Sequence, residues 1–176
     1  PRKAVLSLEP DPMVNPAAIE AIDQADMVVI APGDLYTSLG PLLVTKGIGD
    51  ALRRTAGKVV YVCNLVTKDG QTNSFTVGDH AAEIERFGGG DFLDVVLYGN
   101  ATPPPEVLSR YEAEKAYPVA YDEAELAKAQ YTAIGSDFLG EFSKIESTST
   151  PTQVTRGLIR HNPDAVARAL MKIYFS

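Results

Sequence analysis

The chain has 176 residues, of which 45% are hydrophobic and 22% charged, with a net charge of −7 and one cysteine, Cys63. This length predicts one domain with a full core, since domains commonly run to ~100–200 residues. The charge disfavours a general nucleic-acid binder, and no apolar run approaches the ~20 residues that membrane insertion needs. A lone cysteine forms no internal disulfide, so a cytoplasmic protein is expected.

Apolar, β-branched runs predict strands, and the segments between them carry apolar residues at helical spacing. In chain order these are strand 4–8, helix 16–24, strand 27–31, helices 39–54 broken at Gly47, strand 59–63, helix 79–87 and strand 95–98. Strands alternating with helices in this way predict a parallel sheet with right-handed crossovers.

The pattern loosens after Asn100. Here the sequence predicts helix 106–115, a short strand 117–121, helix 122–130, a last strand 131–134 and an exposed loop 143–155. Asn162-Pro163-Asp164 is typical of a helix start and predicts a final helix 165–175. Residues 1–176 are expected to form a single α/β domain, as the C-terminal part of a longer one, because the chain opens directly into a strand pattern.

The first candidate site is the loop that follows the strand 27–31. Gly33 lets the backbone approach a ligand, and the hydroxyls of Thr37 and Ser38 donate to oxygens, so the loop suits an anion or phosphate. Ligands bind at the carboxyl ends of strands in open α/β sheets. The alternative is a tight turn in which Ser38 caps a helix.

The second candidate is the polar loop after Cys63. If the strands 27–31 and 59–63 are neighbours, Asn64 and Thr67 lie beside the Pro32-Gly33 loop. The set Gln71, Thr72, Asn73 and Ser74 suits sugar hydroxyls or base edges. The alternative is a long loop shaped around Asp69-Gly70.

Two further motifs carry charge. Asp79 could orient His80 as an acid or base, or simply cap a helix. Arg156, Arg160 and His161 form the concentrated positive site of an acidic chain and suit a diphosphate, unless they face water. No third nitrogen or sulfur ligand is spaced to join the two histidines, so no metal site is predicted.

In combination these motifs resemble the YvcK/CofD-like family, and its gluconeogenesis-factor branch more than its phospholactate transferases. The family has an Ala-Asp strand running into a Gly-Pro-Gly-Ser-Leu-Tyr-Thr-Ser loop, a Tyr-Val-Cys-Asn strand end, a Thr-Gln-Pro-Gly-Glu-Thr-Asp loop, an Asp-His helix start and an Arg-His-Asp. The matching segments here are 25–26, 32–38, 61–64, 67–73, 79–80 and 160–162, in the same order.

The resemblance implies a Rossmann-like fold, a parallel sheet with helices on both faces in three α/β/α layers. It also implies a regulatory protein that binds a UDP-sugar, such as UDP-N-acetylglucosamine, or another nucleotide diphosphate, in carbon metabolism and cell-envelope or cell-shape control. The alternative it implies is a transferase that moves a phospholactyl-type group from a nucleotide-activated donor to a deazaflavin precursor with Mg²⁺. A fold that only packs against a partner is the third hypothesis, and a homo-oligomer is compatible with all three.

The resemblance also implies a role for each candidate residue. The diphosphate would be held by Gly33, Thr37, Ser38 and Arg160, and the ribose or sugar by Asn64, Thr67 and Thr72; Asp34 and Tyr36 complete the expected ligand-binding set, with Asp79, His80, Arg156 and His161 as secondary candidates. Asp34 stands where the family has serine, which places a carboxylate beside any phosphate, where like charges repel unless a cation intervenes. Gln71, Asn73 and Asn162 replace acidic residues of the family, which weakens catalysis more than binding.

Overall fold

A computed structural model describes residues 4–140 and 159–176. Its centre is a four-stranded sheet in which every strand is parallel to its neighbour, in the order β1-β2-β3-β4. The strands are β1 (Met27–Ile30), β2 (Lys58–Val62), β3 (Val95–Gly99) and β4 (Thr132–Ser136). The predicted parallel sheet is therefore confirmed, with three predicted runs as strands β1 to β3 and the predicted last strand as β4.

Helices separate the strands. They are α1 (Pro16–Gln24), a π-helical turn (Leu35–Leu39) continuing into α2 (Gly40–Leu43), α3 (Ile48–Arg54), α4 (Val77–Gly88), α5 (Pro105–Ala113), α6 (Glu123–Leu126) and α7 (Pro163–Tyr174). Gly47 separates α2 from α3, as predicted, with a φ of 96° that L side chains rarely adopt. None of the helices in the described part of the chain is long and apolar enough to cross a membrane.

Two apolar cores lie on opposite faces of the sheet, because successive side chains of a strand point to opposite faces. Val59 and Tyr61 of β2 join the core formed with the π-helical turn, α2, α3 and α4. Val60 and Val62 join the core formed with α7. The predicted three-layer α/β/α arrangement is thus confirmed.

Several predicted elements differ from the structure. Residues 4–8 form no strand; within this segment Leu6 packs against the first core, and the Ala4 carbonyl accepts from Arg86. An apolar run alone provides no partner strand, and this run has none among residues 4–140 and 159–176. The predicted strand 117–121 makes only isolated bridges at Pro118 and Ala120. The predicted helix 122–130 shortens to α6, and the predicted loop 143–155 lies outside the described residues.

The predicted helix start near Ser38 is also wrong. Helical structure begins at Leu35, with Asp34 in the N-cap position, and Ser38 lies inside the π-helical turn. Leu35 is 2% exposed and belongs to the first core. We attribute the early start to the burial of Leu35, since tertiary packing supplies most helical stability in proteins.

Candidate functional site

The loops that follow β1 and β2 meet at the carboxyl edge of the sheet. Asn64, two residues after β2, donates from its side-chain Nδ2 to the carbonyl oxygen of Gly33 at 3.0 Å. The sequence predicted Asn64 beside this loop if the two strands were neighbours; β1 does pair with β2, and Asn64 lies beside the loop. The accepting carbonyl also defines the amide orientation, so Asn64 Oδ1 points away from Gly33.

The start of α7 reaches the same edge. His161 Nε2 lies 3.0 Å from the carbonyl oxygen of Cys63 and donates to it. Burial lowers the pKa of His161, and the hydrogen bond to Cys63 partly opposes that shift. Asn162 caps α7 by accepting from the backbone N–H groups of Asp164 and Ala165. Three sequence segments, around Gly33, Asn64 and His161, therefore come together.

Arg160 precedes His161 at this edge and is exposed. Its backbone carbonyl accepts from Gly140 N–H at 2.7 Å, which holds this stretch of chain beside the residues that follow β4. Arg156, the other predicted arginine, lies outside the described residues.

An ion pair joins the two loops. Lys68, on the loop after β2, pairs through Nζ with Asp34 Oδ2 on the loop after β1. The hydroxyl of Thr37 donates to the same carboxylate oxygen at 3.3 Å. Lys68 was not among the predicted site residues. The sequence did contain a signal for it, because the Asp34 carboxylate in an anion-binding loop requires a nearby cation.

The remaining residues of the first loop divide between solvent and core. Thr37 and Ser38 are exposed. Tyr36 turns toward α4, where its hydroxyl donates to Glu83 at 3.1 Å and its ring packs edge-on against Phe87. The structure thus keeps Gly33, Asp34 and Thr37 beside the second loop and directs Tyr36 to the helix layer.

The second loop is shaped by its own hydroxyls. Thr67 and Thr72 are each 4% exposed. Thr67 Oγ1 accepts from Tyr117 N–H, and Thr72 Oγ1 accepts from Lys68 N–H at 2.8 Å. These two threonines therefore hold the backbone on either side of Lys68.

The tip of the second loop is organised around Gly70, whose φ is 74°. Gly70 N–H donates to the side-chain oxygen of Asn73, and the Asn73 amide donates to Asp69. The hydrogen bond from Asn73 lowers the pKa of Asp69. Loop-shaping contacts thus occupy both polar atoms of Asn73.

Two buried acceptors at this edge have no hydrogen-bond partner within the described residues. They are Oδ1 of Asn64 and Oε1 of Gln71. A buried oxygen without a donor is unfavourable by about 1–3 kcal/mol, so such atoms favour a ligand that donates N–H or O–H groups. Sequence reasoning singled out both residues but could not show that their oxygens are unsatisfied.

Asp79 and His80 lie in the first turn of α4, which follows the second loop. Thr76 and Asp79 form a capping box at the start of α4 through reciprocal side-chain to backbone hydrogen bonds. His80 is fully buried, donates from Nδ1 to the carbonyl of Thr76 at 2.9 Å and packs edge-on against Phe75. Burial lowers its pKa. Both side chains support the helix that the second loop enters.

Cys63 is a core residue that directly follows β2. It is 0% exposed and packs in the first core. Burial raises the pKa of its thiol to about 12, so the reactive thiolate is not populated at neutral pH.

A small cavity of about 130 Å³ lies beyond the carboxyl end of β3, next to the second loop. Leu65, Pro103, Tyr121 and Leu139 line it with apolar surface, and Asn100 with a polar group. The edge thus combines an exposed charged part with a recess of mixed polar and apolar lining.

Comparison with known proteins identifies the family. A family model described as 2-phospho-L-lactate transferase CofD matches residues 2–139. The chain belongs to the CofD family. It is 34% identical over 165 residues to a putative gluconeogenesis factor of Nostoc sp. and 38% identical over 116 residues to the gluconeogenesis factor of Bacillus subtilis, alignments that include 93% and 66% of this chain.

A solved structure agrees with this assignment to the CofD family. The chain is similar to a member of the UPF0052 family from Bacillus halodurans, with a TM-score of 0.80 and 32% sequence identity. The match includes 93% of the present chain. It spans 34% and 36% of the two gluconeogenesis factors and 48% of the UPF0052 protein, so about a third to a half of these relatives.

Proposed function

We propose that this chain forms part of the binding site of a nucleotide sugar, such as UDP-N-acetylglucosamine, in a regulatory protein of carbon metabolism and cell-envelope or cell-shape control. The observation that carries the proposal is the meeting of the Gly33 loop, the Asn64 loop and the start of α7 at the carboxyl edge of the sheet. Ligands of open α/β sheets bind at this edge.

The residues divide by chemistry. Arg160 and Lys68 supply positive charge for a diphosphate, with Gly33, Thr37 and Ser38 on the opposite loop. Asn64 and Gln71 supply buried acceptors for ribose or sugar hydroxyls. Thr67 and Thr72 hold the loop that presents them, and the recess beside Leu65 offers room for a further part of the ligand.

A phospholactyl-type transferase is the second candidate, and the description of the matching family model favours it. Such an enzyme would use Mg²⁺ to neutralise the nucleotide phosphates. Asp34, on the loop after β1, is a carboxylate that could bind Mg²⁺, but it is paired with Lys68. The geometry therefore supports binding better than transfer.

The proposal extends to the whole protein. The relatives are longer than this chain, which supports an α/β domain with a further part that completes the pocket. A reduced, buried Cys63 fits a cytoplasmic location. Assembly into a homo-oligomer is compatible with the proposal, which does not depend on it.

Calorimetric titration of the complete gene product with UDP-N-acetylglucosamine tests the proposal. Arg160→Ala should weaken binding by about tenfold or more, because hydrogen bonds to charged groups contribute about 1.5–3 kcal/mol. Arg168→Ala, which removes another exposed arginine farther along α7, is the matched control and should leave the affinity unchanged. Equal affinities of the Arg160 variant and the parent protein would contradict the assignment. Turnover of an activated phospholactate would favour the transferase.

A further inference from the structure

We propose that the Asp34 carboxylate competes with the phosphate of the ligand for binding to Lys68. It holds Lys68 until a phosphate of the ligand replaces it, and so weakens the binding of anions at this site. This inference rests on the proposed function, because it concerns the same site.

The contacts of Asp34 are those that a bound anion would make. One carboxylate oxygen receives both the ammonium of Lys68 and the hydroxyl of Thr37. Thr37 is one of the residues that the sequence predicts to bind the phosphate. The carboxylate therefore engages a cation and a hydroxyl that both suit a phosphate oxygen.

Lys68 can change partner without moving the backbone. Its N–H is held by Thr72, and the neighbouring Thr67 is buried and bonded to Tyr117. Only the flexible four-carbon side chain has to swing, and a lysine ammonium is a mobile point charge. The exchange is thus confined to one side chain.

The charge of the ligand allows it to displace Asp34 from Lys68. The side chains of Lys68 and Asp34 are 50% and 40% exposed, so water and salt screen their attraction and the pair is weak. A diphosphate attracts Lys68 more strongly than a single carboxylate does. Asp34 nevertheless repels the bound phosphate. It therefore weakens anion binding in two ways, by this repulsion and by its competition for Lys68.

The test compares Asp34→Asn and Asp34→Ser with the parent in the complete gene product. We expect both variants to bind UDP-N-acetylglucosamine about 1.5-fold to fivefold more tightly, the range that removal of a weak, exposed ion pair allows. Inorganic pyrophosphate serves as a second probe and should show a similar gain. Lys68→Met should weaken binding and abolish the gain from Asp34→Asn in the double variant.

Asp50→Asn is the charge-matched control. Asp50 forms an exposed ion pair with Arg53 on α3, and its loss changes the net charge equally without entering the loop. Unchanged or weaker binding of both probes by the Asp34 variants would overturn the inference, while the Arg160 result would leave the proposed function standing. A gain with pyrophosphate but no binding of the nucleotide sugar would support the exchange and contradict the proposed ligand.

Discussion

Substitution of Asn64 by leucine should separate ligand binding from stability. Among the described residues, the side chain of Asn64 makes one hydrogen bond, from Nδ2 to the Gly33 carbonyl, and its Oδ1 is buried without a partner. Leucine has a similar volume and neither polar atom. Asn64→Leu therefore removes a favourable contact and an unfavourable one together.

The two effects oppose each other in the free protein. Loss of the hydrogen bond to Gly33 lowers the free energy of unfolding by about 0.5–1.5 kcal/mol, and loss of the unsatisfied oxygen raises it by about 1–3 kcal/mol. We therefore expect the free energy of unfolding to stay within about 1 kcal/mol of the parent value, or to rise. In the complex, Oδ1 accepts from a ligand hydroxyl, so affinity should fall about twofold to tenfold.

Urea unfolding and calorimetry with UDP-N-acetylglucosamine measure the two quantities on the same preparation. Asn73→Leu is the comparison variant, because loop hydrogen bonds occupy both polar atoms of Asn73, and it should lose more stability than Asn64→Leu. A loss of more than about 2 kcal/mol in Asn64→Leu would show that Oδ1 is satisfied in solution. Unchanged affinity would refute the role of Asn64 in binding.

Two further predictions concern buried titratable groups. Burial lowers the pKa of His80 and of His161, so the unfolded chain binds protons that the folded chain does not, and stability should fall as the pH drops below about 6.5. Urea unfolding between about pH 5 and 8 measures this slope, and a slope unchanged by His80→Gln would argue against His80 as a source. Because burial raises the pKa of the Cys63 thiol to about 12, a thiol reagent should label it in denaturant and only slowly in the native protein. Rapid native labelling at pH 8 would contradict this.

Much of the fold follows from local pattern. The runs that became β1, β2 and β3 are apolar and β-branched, and buried parallel strands need that composition on both faces. The helix that starts at Pro163 was predicted from Asn162, whose side chain caps it in the structure. The order of strands and helices, together with the family motifs, was enough to predict the three-layer fold.

Residues 4–8 show where local pattern is insufficient. They are as apolar as a strand, yet within this segment Leu6 packs on the core while the chain pairs with no strand of the described sheet. A strand needs a partner with free N–H and C=O groups, and composition does not reveal one. The early helix start at Leu35 likewise depends on burial against residues distant in sequence.

The candidate site divides in the same way. The sequence by itself determined which loops follow the strands and which side chains they carry, because strand ends and polar loops are local features. Only the tertiary structure decided the contacts between loops: Asn64 with Gly33 across 31 residues, Lys68 with Asp34 across 34, and His161 with Cys63 across 98. Such contacts form because parallel strands bring their carboxyl ends to one edge, and strand order is a property of the packed sheet.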